Sequence, residues 1–189
     1  MPERRRSSRV KRGRKIIVWI ATSADGFIAR PDGDYSWLDR KRPKGNYGMG
    51  AFWKSIDAIL WGRKTYDLGI KMGMKTMGPG IRNYVFSRRL QNSSLAGFEF
   101  VSDPVKPFAQ RLRAQPGKDI WMMGGGEIIA SFLDAGEIDE FRIHVIPKFI
   151  GEGIPLIAPR HRDIPLKLLS SRTFPDGVVL LHYRVPRDP

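Results

Sequence analysis

Ile16-Ile17-Val18-Trp19-Ile20-Ala21 is an unbroken apolar run dominated by β-branched side chains. A strand with one wet face alternates apolar and polar residues, whereas a run without alternation needs cover on both faces. The run therefore demands a central strand in a sheet held between two further layers, the arrangement of α/β proteins with parallel sheets. Ala58-Ile59-Leu60-Trp61 reads the same way, and Asn83–Ser87, Phe98–Val101 and Asp119–Met123 add shorter strands. Asp103-Pro104 predicts a helix start, with Asp as N-cap and Pro in the first helical position. Val105, Phe108, Ala109 and Leu112 then form one apolar stripe. A second helix is expected from Glu127, burying Ile128, Ile129, Phe132 and Leu133 and stopping at Gly136, and a short one around Ala51–Ile56. Residues 22–34 and the basic, Gly-rich 40–50 read as loop, and 69–80 as loose chain. Phe141, Ile143 and Val145 alternate with Arg142 and His144, which predicts a half-exposed strand with His144 facing outward. Two last strands, Leu166–Phe174 and Val178–Val185, flank the turn signal Pro175-Asp176-Gly177. The expected fold is a three-layer α/β domain. Its mixed sheet of about eight strands is mostly parallel, with helices on both faces and an antiparallel C-terminal edge.

The charge is unevenly spread. The chain has 189 residues and a net charge of +14, and residues 1–15 carry eight cations against Glu3 alone. Residues 1–14 are expected to be a disordered basic tail, and 15–189 a single domain. Clustered Lys and Arg could serve as a nucleic-acid or anionic-membrane arm, although a solvated terminus is the plainer reading. Neither a recognition helix nor an exposed aromatic RNA pattern accompanies the charge, so nucleic acid is not the expected partner. No apolar run is long enough to span a bilayer and no apolar segment follows the tail as in a secretory signal, so a cytoplasmic protein is expected. Cysteine is absent and His144, His161 and His182 lie far apart, so no metal site is expected.

The candidate chemistry sits where strands give way to glycine. Met123-Gly124-Gly125-Gly126-Glu127 joins a strand to a helix, and a helix N-terminus with free backbone N–H groups attracts anions. The spacing is not G-x-G-x-x-G, and a tight turn alone would also account for the glycines. Gly62-Arg63-Lys64-Thr65 follows another buried strand, and Ser87-Arg88-Arg89 a third. Open α/β sheets bind ligands at the carboxyl ends of their strands. Such ends, rich in glycine, hydroxyl and guanidinium, suit a ligand with several phosphates, such as a 2′-phosphorylated dinucleotide gripped by Arg63 and Arg88.

Ser23-Ala24-Asp25-Gly26-Phe27-Ile28-Ala29, Trp37, Gly62–Tyr66, Val85–Arg88, Gly124–Ile128 and Ile146–Leu156 occur in the order seen in dihydrofolate-reductase-like proteins. Over residues 15–186 the chain most resembles the branch holding the C-terminal reductase domain of the bifunctional riboflavin-biosynthesis deaminase-reductase. The resemblance implies an NADPH-dependent reductase of a small heterocycle, of the 5-amino-6-(5-phosphoribosylamino)uracil reductase type, working as a homodimer. It implies that Gly124, Gly125, Gly126, Glu127 and Ile128 cradle the pyrophosphate, and that Gly62, Arg63, Lys64 and Thr65 hold phosphates. Ser87 and Arg88 would take the 2′-phosphate, and Ala21, Ile28 and Met123 would frame the nicotinamide. Two departures bear on the substrate. Asn46–Phe52 lacks the acid that dihydrofolate reductases use on a pterin, and Tyr66-Asp67-Leu68-Gly69 stands where the riboflavin enzymes carry Asp-Asp-Pro-x-Leu. The candidate proton donors are Asp25, Asp34 and Tyr47, with a turn-forming role the plainer reading for Asp25. Trp37, Trp53 and Trp121 are expected in the core rather than stacked on a ligand.

Overall fold

A computed structural model describes residues 13–89 and 95–186. Its main sheet has eight strands in the order β5-β4-β3-β6-β1-β7-β10-β9. These are β1 (Ile16–Ser23), β3 (Ile56–Gly62), β4 (Arg82–Phe86), β5 (Phe98–Val101), β6 (Asp119–Gly124), β7 (Glu140–Ile146), β9 (Lys167–Thr173) and β10 (Val179–Arg184). β1 pairs in parallel with both β6 and β7, and β3 with both β4 and β6, so the carboxyl ends of β4, β3, β6, β1 and β7 lie side by side along one rim. β10 runs antiparallel to both β7 and β9, which makes the expected antiparallel edge. Residues Phe27–Ala29 (β2), expected as loop, pair with Ile154–Pro155 (β8) in a separate two-stranded ribbon. That pairing joins segments more than a hundred residues apart, and local patterning carries no trace of it.

The continuous apolar runs are sandwiched as the sequence requires. On one face, Ile16, Val18, Leu60 and Met122 pack against α3 (Val105–Ala114) and α4 (Gly126–Asp134) through Phe108, Leu112, Ile129 and Phe132. On the other, Ile17, Trp19, Ile59, Trp61 and Trp121 pack against α1 (Met49–Ser55) and α2 (Arg63–Lys71) through Phe52 and Tyr66. Phe132 is fully buried, and truncating such a side chain to alanine costs about 3–5 kcal/mol. α2 extends through Gly69 into the stretch read as loose. The helix after Asp103 starts one residue late: Pro104 is the N-cap and extended, and Asp103 instead pairs with Arg111.

One expectation fails on burial. His144 does not face outward, because the rings of Trp19, Tyr47 and Phe174 surround it. The residue is 4% exposed, while Ile143 and Val145 are the half-buried ones. Alternation identifies two faces but not which of them is covered. Arg14, grouped by sequence with the basic tail, also makes contacts with the domain. Arg14 is buried, pairs with Asp57 and donates from Nε to the Lys118 carbonyl at 2.6 Å. It was hidden in a run of basic residues, of which 1–12 lie outside the described residues.

Candidate active site at the carboxyl rim

β3 and β6 meet at their glycine ends. A side-chain carbon added to Gly62 would lie 3.2 Å from Ile128 Cγ2, 3.3 Å from the Gly124 carbonyl oxygen and 3.4 Å from the Gly125 nitrogen. One added to Gly125 would fall in the gap between Thr65 Oγ1 at 3.4 Å and Ile28 Cδ1 at 3.6 Å. Gly62 is the N-cap of α2 and Gly125 the N-cap of α4, and neither helix has a side chain capping its first N–H groups. The two uncapped helix starts therefore lie side by side at the rim, on opposite faces of the sheet, with Thr65 and Ile28 flanking Gly125. The Gly124–Gly125 peptide is cis. Gly126 is different in kind: a carbon there would come within 2.5 Å of the Pro155 carbonyl oxygen, so this glycine makes room for the 155–158 segment.

The other expected cofactor residues distribute around this gap. Phe86, the last residue of β4, pairs with Gly62, which puts Ser87 and the exposed Arg88 just beyond it. The Ser87 hydroxyl is engaged with the backbone of Arg89. Arg63 lies in the first turn of α2, but its guanidinium donates to Asp67 at 2.7 and 2.8 Å and lies over the Phe100 ring, while Lys64 is exposed. Glu127 points outward and pairs with Arg160. Ala21 and Met123 lie near the carboxyl ends of the neighbouring strands β1 and β6, on the α1 face.

The candidate proton donors separate from one another. Asp25 accepts from the amides of Ile150 (3.1 Å) and Gly151 (2.8 Å), clamping the 147–153 loop. Hydrogen bonding from Ser23, then from those amides, holds its carboxyl below the usual value. Asp25→Ala is expected to speed hydrogen exchange at the Ile150 and Gly151 amides, read by NMR, while β1 amides stay protected. Asp34 turns inward on Ser36 and Arg30, and the Ser36 amide and hydroxyl lower its pKa as well. Both carboxyls are thus charged at neutral pH and tied to loop backbone. Tyr47 differs, because burial, and then its bond to Asp176, raises its pKa and it keeps its proton. Its hydroxyl donates to Asp176 Oδ2 at 2.5 Å. The residue that sequence reasoning set aside is His144, which is the Cα partner of Ala21 and packs against Trp19 and Tyr47.

A mostly parallel eight-stranded sheet with helices on both faces and an antiparallel edge is an α/β fold of the dihydrofolate-reductase-like class. Residues 14–180 match the model of the RibD C-terminal domain, and the chain belongs to that family. The Bacillus subtilis (strain 168) proteins YyaP and YwjB, themselves uncharacterised, are 35% identical over 181 residues and 33% identical over 175 residues. Each alignment covers 90% of this chain, with 94% and 97% of the respective relative. Among solved structures, a Shewanella sp. PV-4 protein assigned to riboflavin biosynthesis superposes with a TM-score of 0.82 at 24% identity, covering 92% of this chain and 99% of that one. The Thermotoga maritima diaminohydroxyphosphoribosylaminopyrimidine deaminase/5-amino-6-(5-phosphoribosylamino)uracil reductase gives 0.71 at 18% identity, over 92% of this chain and 57% of that longer one.

Proposed function

We propose that the chain is an NADPH-dependent reductase of a small heterocyclic substrate, resembling the pyrimidine reductase half of the riboflavin-pathway enzymes and acting as a cytoplasmic homodimer. The observation that carries this reading is the meeting of two uncapped helix N-termini at Gly62 and Gly125, with the gap between Thr65 and Ile28 left open by a missing side chain. Paired phosphates suit that gap, because helix N-termini offer N–H groups and a positive dipole end. Gly62, Thr65, Gly124, Gly125 and Ile128 would hold the pyrophosphate, with Gly126, Glu127, Arg63 and Lys64 shaping its surroundings. Ser87 and Arg88 would receive the 2′-phosphate, and Ala21, Ile28 and Met123 would position the ring. NADPH would supply the hydride, and the protein's share is orientation and exclusion of water. α1 carries neither Asp nor Glu, which speaks against a pterin as the substrate.

The test is a fluorescence titration with NADPH and NADH. Wild-type protein is expected to prefer NADPH by at least about tenfold, and Arg88→Ala to erase that preference while leaving NADH affinity unchanged. Equal, weak binding of both cofactors by the wild type would refute the assignment.

A further inference from the structure

His144 lies one strand away from the place proposed for the nicotinamide. It is the Cα partner of Ala21 in a parallel pair, so both side chains stand on the same sheet face. The residue is 4% exposed, with ring centroids of Trp19, Tyr47 and Phe174 at 5.1, 5.6 and 6.3 Å. Its Nε2 makes no hydrogen bond. In the adjoining cluster, where Tyr47 and Ala21 pack against Phe174, Trp37 is also 4% exposed and its Nε1 is equally unmet. Two other buried indoles are satisfied: Trp61 donates to Asn83 Oδ1 at 3.1 Å and Trp121 to the Trp19 carbonyl at 3.0 Å. An unmet buried polar atom is destabilising where carbon would pack as well, so two in adjoining aromatic clusters call for a partner.

Tyr47 covers this cluster. Asn46 and Tyr47 have φ of 44° and 57°, in the left-handed region that side chains disfavour. The strained turn is tied down by the Tyr47–Asp176 hydrogen bond. Asp176 is braced in turn by Arg40, whose Nη2 donates to the Asp176 carbonyl at 2.5 Å and whose Nε lies 3.4 Å from the carboxylate. The latch joins a loop between β2 and α1 to the turn of the C-terminal hairpin, segments 129 residues apart.

We propose that Tyr47 is the cover of a substrate subsite floored by His144. When the Tyr47–Asp176 bond opens, a flat heterocycle replaces the tyrosine ring beside Phe174, and its amide edge hydrogen-bonds to His144 Nε2. The nature of the ligand rests on the reductase reading, whereas the cover does not. Burial holds the imidazole below its ordinary pKa, outweighing the nearby Ile20 and Tyr47 carbonyls, so it stays neutral and its free nitrogen is nucleophilic.

Carbethoxylation with diethyl pyrocarbonate, read for each histidine by peptide mass spectrometry, tests both halves. In the wild type His144 should label far more slowly than the exposed His161. Asp176→Asn, and independently Tyr47→Phe, should speed His144 labelling about ten- to hundredfold, the range set by loss of one charge-assisted bond, with His182 unchanged. 5-Aminouracil at millimolar concentration with NADPH should slow it again. An unaltered His144 rate in both variants overturns the cover, as does an equal rise at His182, which would mean general loosening. A rate indifferent to 5-aminouracil overturns the substrate contact. NADPH titration of the same samples keeps the two readings apart. Wild-type protein that fails to bind NADPH refutes the reductase, while the labelling rates still decide the cover.

Discussion

Glu140→Gln is expected to lower stability by about 3 kcal/mol at neutral pH, in urea or thermal unfolding, and the difference from wild type should vanish as the pH approaches 2. Glu140 opens β7 on the amino rim, and its side chain is 4% exposed. Lys15 Nζ lies 2.5 Å from its carboxylate, His182 Nε2 2.9 Å and Arg142 Nη2 3.5 Å. Burial alone would raise the pKa. The hydrogen bonds from Lys15 and His182, with their charges, outweigh it and bring the value down from 4.5 to about 2. A carboxyl depressed on folding contributes fully above its unfolded pKa and loses the contribution as pH falls through the folded one. The window therefore runs from about 4.5 down to about 2, and a shift of that size corresponds to roughly 3 kcal/mol. Gln keeps the shape but leaves three basic partners facing a neutral group. Identical pH profiles for the two proteins would show that the cluster contributes nothing net.

Gly126→Ala and Gly125→Ala should part company although they are adjacent. At Gly126 the new methyl meets the Pro155 carbonyl oxygen at 2.5 Å, with Leu156 O and Ala158 N at 3.4 Å. The 155–158 segment has no room to retreat, since Ala158 N already donates to the Gly126 carbonyl at 3.2 Å. Overpacking against backbone is expected to cost about 1–3 kcal/mol, visible as a lower Tm with or without cofactor. At Gly125 the methyl meets only Thr65 Oγ1 and Ile28 at ordinary contact distances. Stability should move by less than about 1 kcal/mol, while the methyl occupies the gap proposed for the phosphates and weakens NADPH binding at least about tenfold. Unimpaired NADPH binding by Gly125→Ala would place the pyrophosphate elsewhere.

Most of the frame was legible because burial on both faces writes itself directly into a strand. Ile16–Ala21 and Ala58–Trp61 have no alternation, and the glycines that end β3 and β6 mark where chain leaves sheet for helix. The near-continuous order of motifs carried the family. What stayed hidden depends on partners distant in sequence. Arg14 looked like one more tail cation until Asp57 and the Lys118 carbonyl were brought to it. His144 looked outward because part of its cover, Tyr47, comes from a stretch nearly a hundred residues earlier that reads as basic loop. Asp25 read more plainly as a turn former and Asp34 as a candidate donor, and the Ile150, Gly151 and Ser36 amides that hold them are backbone groups, which no residue type announces.

The reversal of direction at β10 decides who can reshape the pocket. Because β9 ascends alongside the parallel strands and β10 descends, residues 174–178 arrive at the same rim as Gly62 and Gly125, on the far side of β1 and β7. The end that would grip a common coenzyme is thus made from the middle of the chain, and the end that would meet a particular substrate is finished by its last forty residues. A substitution at that hairpin tip would therefore alter the proposed substrate end while leaving Gly62 and Gly125 untouched.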